Sequence, residues 1–285
     1  MVACIHCMIQ ISQIADNIEK ATDGIYYSKH NAQLSYPEDG NSISFQLEEN
    51  SFWFQHRNEV ILACLNYEKE KKVFFDIGGG NGFVSLRLQN EKFNVTLIEP
   101  GIQGAKAAKR RGVDQVICST FEDAGLTHNS MESAGMFDVI EHIEDDFEFL
   151  SSLYKLIQTE GKIYISVPAF QMLWSEEDID AGHFRRYTLK SAEKVLLKAG
   201  FKPIYSTYFF SPLVLPIFLF RSIPSRLGLK RKTHDLKKYQ REHKQRKGLV
   251  DKVLSFIWQW ELKRISKRKK ITFGSSCLIV AQKIK

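Results

Sequence analysis

The sequence has few cysteines and no long hydrophobic run. Its five cysteines are odd in number and scattered through 285 residues, so they do not form a disulfide framework and they fit a reducing cytoplasm. The longest uncharged apolar run, residues 211–220, is about half as long as a membrane-spanning helix. The amino terminus lacks the basic region and clear cleavage site of a secretory signal. We therefore expect a cytoplasmic protein without a membrane span.

The sequence also offers little that is typical of a metal centre. Cys4 and Cys7 have the C-x-x-C spacing of half a zinc site, but no second pair follows at a usable distance. Because a structural zinc ion takes four protein ligands, this pair does not predict a site by itself. We predict that the protein has no metal site.

Positive charge is concentrated in one segment. The chain carries a formal net charge of +7, whereas residues 221–270 contain eighteen Lys or Arg residues against four acidic ones, a net charge of +14. The rest of the chain is therefore acidic, at −7. Such a segment indicates either an anionic partner (lipid headgroups, a phosphate-bearing substrate or nucleic acid) or a solvated helical face.

Strands and helices alternate through most of the chain. A short helix is expected near residues 11–21 and another helix from 51 to 69; apolar strands and amphipathic helices then follow each other to about 210. One long helix is expected to end at Gly161, and a last strand follows the basic segment. This pattern predicts a doubly wound, Rossmann-like α/β fold, with a mostly parallel sheet and helices on both faces.

The same pattern divides the chain into three parts. Residues 1–50 are an amino-terminal extension, and residues 51–210 with 271–285 make the α/β domain. Residues 211–270 form a basic amphipathic helical insertion before the last strand. The helix that precedes the first core strand is expected to serve as a helical lid over the site.

The run "VFFDIG" is followed directly by a glycine-rich turn and a helix. The turn reads Asp76-x-Gly78-x-Gly80-x-Gly82, and such a unit lets backbone N–H groups approach a ligand. The dinucleotide motif G-x-G-x-x-G fails because its third glycine would be Phe83, and no Gly-Lys-Ser or Gly-Lys-Thr of a P-loop follows. A ligand without a pyrophosphate is therefore indicated.

This turn, together with Glu99 at the end of the next strand, resembles the first two motifs of the class I S-adenosylmethionine-dependent methyltransferases. The resemblance covers roughly residues 70–210 and the last strand, and it implies a seven-stranded sheet with S-adenosylmethionine as cofactor. It also implies that the carboxylate of Glu99 accepts hydrogen bonds from both ribose hydroxyls. The cofactor-binding residues that it implies are Asp76, Gly78, Gly80, Gly82, Glu99, Thr120, Phe121 and Asp138.

Thr120 stands where many members carry the acid that holds the adenine amine, so the backbone and ring of Phe121 are expected to supply the adenine platform instead. "FDVIEHIEDD" resembles the family segment that borders the transferred methyl group, and it contains Asp138, Glu141 and His142. For Glu141 we expect only a carboxylate at a helix start, where it interacts with the helix dipole.

Residues 166–201 have a narrower resemblance, to a bacterial methyltransferase subgroup often associated with surface-glycan or lipid-linked saccharide biosynthesis. The resemblance does not name a substrate. If the acceptor is a hydroxyl, a general base must take its proton, and histidine has the suitable pKa. The candidates are His183 and His142. His183 is preferred because it follows a strand at the carboxyl edge of the sheet, where ligands of such folds bind, although it could be an ordinary surface histidine.

Six further residues are predicted to contact the acceptor. Arginine binds phosphate or carboxylate through forked hydrogen bonds, and aromatic rings stack on sugars or aromatic acceptors. The arginines next to His183 could instead pair with acidic residues of their own loop. The six residues are Trp53, Arg57, Trp174, Arg185, Arg186 and Tyr187.

The basic insertion leaves the partner open. Its second half has an apolar helical face flanked by lysine and arginine, typical of a helix lying at an anionic membrane surface or of a helical cap packed on the domain. We therefore predict a methyltransferase that acts on a hydroxyl of a glycan or lipid-linked acceptor, peripheral to the inner face of the membrane. The alternatives are a quinone-type or small-metabolite methyltransferase and a nucleic-acid-binding protein. Nucleic acid is disfavoured because the most charged stretch has Tyr239 as its one stacking aromatic.

Overall fold

The computed structural model describes residues 10–29, 48, 51–68, 73–229 and 249–284. Cys4 and Cys7, much of the amino-terminal extension and the most charged part of the basic insertion lie outside these residues. The predictions made for those parts therefore stay predictions.

The described strands form one mixed sheet of the order β1-β2-β5-β4-β3-β6-β7-β9-β8. Strand β9 runs antiparallel to β7 and β8, β1 runs antiparallel to β2, and the other neighbouring pairs are parallel. The strands are β1 (Ile18–Lys20), β2 (Tyr26–Ser28), β3 (Val73–Ile77), β4 (Asn94–Ile98), β5 (Gln115–Cys118), β6 (Met131–Phe137), β7 (Ile157–Pro168), β8 (Phe201–Phe209) and β9 (Ser276–Lys283).

The prediction of seven strands is wrong in number, because the described residues alone form nine strands of the sheet. The two additional strands, β1 and β2, belong to the amino-terminal extension and lengthen the sheet edge where Tyr26 lies beside Ile117. Of the helix expected at 11–21, the four residues Ile11–Ile14 are helical. Strands of three residues are too short for a period of two to be recognised in a sequence, which is why they were missed.

Helices cover both faces of the sheet, as the sequence predicts. They are α1 (Ile11–Ile14), α2 (Phe52–Leu65), α3 (Phe83–Asn90), α4 (Ile102–Arg111), α5 (Asp146–Leu156), α6 (Glu176–Asp180), α7 (Leu189–Lys198), α8 (Val214–Ile217), α9 (Ile223–Arg226) and α10 (Leu249–Ile265). One apolar core joins α5 and α7 to the sheet, and the core on the other face joins α2, α3 and α10 to it.

The sequence places most element boundaries well, with one clear exception. Helix α7 has Thr188 as its N-cap, a residue type that favours helix starts, and Gly200 follows its last turn with a φ of +95°. The helix expected to reach Gly161 instead ends at Leu156, because Ile157 is buried and pairs with Met131 of β6. The chain is already extended where an amphipathic continuation was expected.

Helix α10 packs on α2 and anchors the basic insertion to the domain. Glu261 of α10 is fully buried and accepts hydrogen bonds from the backbone N–H groups of Phe210 and Ser211, and one of its oxygens lies 2.9 Å from Nε2 of His56. Trp258 packs against His56 with ring centroids 4.3 Å apart. Among the described residues, no helix is long and apolar enough to cross a membrane.

Candidate active site

The glycine turn between β3 and α3 exposes backbone where side chains would normally stand. Gly78, Gly80 and Gly82 have φ values of +68°, +53° and +73°, in the left-handed region that favours glycine. A Cβ atom on Gly82 would lie 2.8 Å from side-chain atoms of Ala108 and Val113, so this glycine also lets α3 pack against α4. The turn can thus present N–H groups to a ligand at the carboxyl edge of the sheet.

Glu99 lies beside this turn, at the end of β4. Its carboxylate accepts hydrogen bonds from the N–H groups of Gly80 at 2.9 Å and Gly101 at 2.8 Å. Burial, with a smaller contribution from the nearby charge of Asp76, raises the pKa of Glu99 to about 7. The structure therefore brings together the two features, glycine turn and acid, on which the prediction of a ribose site depends.

The buried side chain of Asp76 supports the glycine turn. It is almost fully buried and accepts a hydrogen bond from Oγ of Ser85 at 2.7 Å, which joins the end of β3 to the first turn of α3. Burial raises its pKa to about 6. A Cβ atom on Gly79 would lie 2.8 Å from the Asp76 carboxylate, so the carboxylate packs directly against the backbone of the turn.

The predicted adenine side has a different arrangement from the one expected. Oγ1 of Thr120 accepts a hydrogen bond from the N–H of Asp123 at 3.1 Å and so caps the turn after β5. The ring of Phe121 is 3% exposed and packs edge-to-face on Phe149 with centroids 5.0 Å apart. The prediction of an open ring platform at Phe121 is therefore not supported, because the ring belongs to the core.

Asp138 connects the sheet edge to the lid helix. It follows β6 with a φ of +60°, and its carboxylate forms an ion pair with Arg57 of α2 and accepts a hydrogen bond from Ser166 at 3.2 Å. Arg57 in turn lies over the ring of Trp53, with its guanidinium carbon 5.0 Å from the ring centroid. The ion pair thus holds the predicted lid residues against the carboxyl edge of the sheet.

The two candidate base histidines are neighbours in space. The rings of His142 and His183 lie with centroids 4.6 Å apart in an edge-to-face arrangement. Nδ1 of His183 lies 2.8 Å from a carboxylate oxygen of Asp178, which is 1% exposed. Burial, and then the proximity of His183, lowers the pKa of His142 to about 4, so this ring is neutral at physiological pH. His183 is the better placed of the two because a carboxylate orients it.

Glu141 does not have the role expected from the sequence. It lies in the 3-10 turn Ile140–His142, before the cap residue of α5, Asp145, and its side chain is fully buried. Neither carboxylate oxygen accepts a hydrogen bond from another described residue. Burial and the charge of Asp138 raise the pKa of Glu141 well above its ordinary value. It is therefore not a helix-start carboxylate that compensates a helix dipole.

Several predicted acceptor contacts are internal. Arg186 donates to Asp178 at 2.7 Å, and Arg185 pairs with Asp146 at 3.1 Å, so each arginine has an acidic partner in the protein. Tyr187 is 3% exposed and donates its hydroxyl to Asp146 at 2.7 Å. The prediction of a stacking surface at Tyr187 is wrong for this reason, whereas Trp174 is partly exposed.

Asp178 organises this loop, and the alternative that an arginine next to His183 pairs with an acidic residue of its own loop is confirmed for Arg186. Asp178 accepts from the backbone N–H of Ser175 in a capping box and also contacts His183 and Arg186. The Ser-x-x-Asp spacing at 175–178 is a signal of a helix start and could have been found. The contact between Asp178 and His183 could not be predicted from this spacing, because it is formed by the turn of the chain after α6.

Known proteins resemble this chain over most of the same region. A family model described as "Methyltransferase domain" matches residues 45–206. A ubiquinone biosynthesis O-methyltransferase of Rickettsia conorii is 29% identical over 170 residues, which cover 52% of this chain and 56% of that protein. The chain thus matches about half the length of this relative.

Solved structures share the fold at low sequence identity. A chain of the complex between the Haloferax volcanii Trm112 methyltransferase activator and a methyltransferase has a TM-score of 0.56 at 13% identity, with 87% of this chain and 96% of that chain covered. Phosphoethanolamine N-methyltransferase 2 of Haemonchus contortus, in complex with S-adenosyl-L-methionine, has a TM-score of 0.54 at 18% identity, with 89% and 59% covered. These likenesses concern the fold.

Proposed function

The chain belongs to the S-adenosylmethionine-dependent methyltransferase domain family, and from this premise we propose that it methylates a hydroxyl group of a lipid-bearing acceptor at a membrane surface. The observation that carries the proposal is the contact of 2.8 Å between Nδ1 of His183 and the Asp178 carboxylate, which orients His183 at the carboxyl edge of the sheet. Methyl transfer to oxygen requires removal of a proton, and an oriented histidine is suited to remove it.

The cofactor side follows from the glycine turn and Glu99. S-adenosylmethionine supplies a methyl group on a sulfonium, and the thioether that remains is a good leaving group without acid assistance. In the proposal the N–H groups of the turn and the Glu99 carboxylate hold the cofactor, because the second lone pairs of the carboxylate oxygens can still accept from a vicinal diol. The remaining contribution of the protein is to hold acceptor and cofactor in line.

The acceptor side is proposed to lie between His183 and the lid helix. Arg57 is held there by Asp138, and Trp53 stacks on Phe210 with ring centroids 5.4 Å apart. Trp174 offers a partly exposed ring on the opposite loop. Because Arg185 and Arg186 are already paired, we propose that they shape the loop more than they bind the acceptor.

The lipid part of the proposal rests on exposed apolar side chains next to this loop. Arg226 donates to the backbone oxygen of Met172 at 2.8 Å, and Arg221 lies 3.6 Å from Glu177, so the segment 211–229 borders the loop that carries Asp178. Apolar groups beside cations are typical of a surface that lies on an anionic membrane. The large apolar residues most exposed there and on α10 are Leu215, Phe220, Leu227, Leu229, Val253 and Phe256.

Two acceptor classes share this chemistry. The narrow resemblance of residues 166–201 favours a lipid-linked saccharide. The name of the curated relative, ubiquinone biosynthesis O-methyltransferase, favours a phenol that carries an isoprenoid tail. Both are hydroxyl acceptors anchored by a lipid, and the structure offers one surface that would suit either.

The test is methyl transfer from radiolabelled S-adenosylmethionine to acceptors in anionic vesicles. One arm contains a lipid-linked saccharide and the other an isoprenoid-tailed catechol, each with its water-soluble counterpart. We expect label in one lipid arm and at least about tenfold less with the soluble counterpart. Equal turnover of the soluble compounds would contradict the membrane part, and no transfer to any hydroxyl would contradict the proposal.

A further inference from the structure

Three potential metal ligands converge beside the candidate base. Glu141, His142 and His183 each offer one ligand atom, and these atoms all lie within 4.8 Å of one another. They come from two segments that are far apart in sequence and are joined by a backbone hydrogen bond of 2.8 Å from Phe184 to the carbonyl oxygen of Glu141. The convergence is therefore fixed by the fold.

The buried carboxylate of Glu141 is suited to bind a cation. A buried carboxylate without hydrogen bonds is unfavourable unless a cation or a proton compensates it. Glu141 is fully buried and accepts no hydrogen bond from another described residue, while Arg57 and Arg186 are already engaged by Asp138 and Asp178. A cation among Glu141 and the two histidines would supply the missing partner.

The two histidines are already oriented as metal ligands usually are. Metal-binding histidines generally use one ring nitrogen for the metal and donate the other N–H to a carboxylate or a backbone oxygen. Nδ1 of His183 lies 2.8 Å from Asp178, which leaves Nε2 for coordination. The backbone of Ala181 and Gly182 lies next to the ring of His142.

We propose that Glu141, His142 and His183 bind a divalent cation of the Zn²⁺, Mn²⁺ or Fe²⁺ type, with Asp178 as the outer partner of His183. Two imidazoles and one carboxylate suit these ions better than Mg²⁺ or Ca²⁺, which prefer oxygen ligands. Three protein ligands leave further positions open, which is typical of a catalytic metal and not of a closed structural site.

The reaction that the ion serves rests on the proposed function. An acceptor hydroxyl bound at an open position would lose its proton to solvent at lower pH, since a bound cation stabilises the oxyanion. The oxygen then forms its bond to the methyl carbon while the carbon–sulfur bond breaks, which gives a methyl ether and S-adenosylhomocysteine. In this form of the site His183 is a ligand, and the cation replaces it in promoting loss of the proton.

Metal binding can be measured without turnover. The full chain, stripped with a chelator, is titrated with Co²⁺ and followed by its visible absorption, and with Mn²⁺ followed by electron paramagnetic resonance. We expect one saturable site, and about 100-fold weaker binding in Glu141→Gln and His183→Ala. Asp178→Asn should weaken binding about 10- to 100-fold, as outer partners of metal ligands commonly do.

Two controls make the result decisive. The exposed residue His128 lies outside the cluster, so His128→Ala should bind like the wild type. Cys4→Ser/Cys7→Ser removes a second pair of potential ligands and should also leave binding unchanged. Absence of saturable binding, wild-type affinity in Glu141→Gln or His183→Ala, or loss of binding in the cysteine variant would each overturn the site. Calorimetric titration with S-adenosylhomocysteine reports folding and the cofactor site separately, so failure of the metal site and failure of the methyltransferase proposal remain distinguishable.

Discussion

The two sides of the candidate active site are constructed differently. The proposed cofactor side lies within residues 76–101, where backbone N–H groups donate hydrogen bonds to Glu99. The acceptor side brings together side chains from α2, from the turn after β6 and from the loop that carries His183. A ligand common to many proteins can be held by backbone and one acid, whereas an acceptor specific to one protein requires side chains from distant segments. Changes on the two sides should therefore have separable effects.

Loss of His183 should have the largest effect. It should lower turnover and leave cofactor affinity nearly unchanged. His183→Ala removes either the base or a metal ligand, so we expect kcat to fall about 10²- to 10⁴-fold. Affinity for S-adenosylhomocysteine should change less than about threefold, because the side-chain contacts that the described residues make with this ring come from Asp178 and His142 and not from residues 76–101. Steady-state kinetics and calorimetric titration measure the two quantities, with His128→Ala as the matched control. A parallel loss of cofactor affinity would show that the two sides are not independent.

Loss of Glu99 should have the converse effect. Glu99→Ala removes the acceptor of the proposed ribose hydrogen bonds, and charge-assisted bonds contribute about 1.5–3 kcal/mol each, so affinity for S-adenosylhomocysteine should fall at least about 100-fold. Glu19→Ala, at an exposed position on β1, is the control. Circular dichroism tests whether the variant is folded. Unchanged affinity in a folded Glu99→Ala protein would remove Glu99 from the cofactor site.

The pKa of Glu99 gives cofactor binding and stability opposite dependences on pH. Because this pKa is raised to about 7 in the folded protein, the carboxylate is protonated below that pH and affinity for S-adenosylhomocysteine should fall up to about tenfold per pH unit. The unfolded chain ionises near 4.5, so the contribution of this group to stability is present below that value and is lost as pH rises towards 7. Titrations and urea unfolding between pH 5 and 8 measure both trends, and Glu99→Gln should flatten both.

The sequence predicts the cofactor side far better than the acceptor side, for a physical reason. The glycine turn and Glu99 each follow an apolar strand, and parallel strands bring their ends to one edge whatever the rest of the chain does. The buried Tyr187 and the position of Glu141 beside His183 depend on contacts between segments about 40 residues apart in the chain. The periodicity of hydrophobic residues in one segment carries no information about such contacts. The three-residue strands β1 and β2 were likewise too short for their periodicity to be recognised.

Removal of one exposed apolar side chain from the proposed membrane surface should have the smallest effect. Phe256 of α10 is 73% exposed, and Phe256→Ser should weaken binding to anionic vesicles about three- to tenfold, since only part of a phenylalanine's burial energy is gained at an interface. Leu197 of α7 is 59% exposed on the other face of the sheet, so Leu197→Ser should bind vesicles like the wild type. Vesicle sedimentation measures both. Cofactor affinity should be unchanged in either variant, since α10 meets the domain through Glu261 and Trp258 and not through Phe256. Equal loss of vesicle binding in both variants would mean that the protein contacts lipid through apolar residues on both faces and not through the proposed membrane surface. The acceptor would then reach His183 from solution.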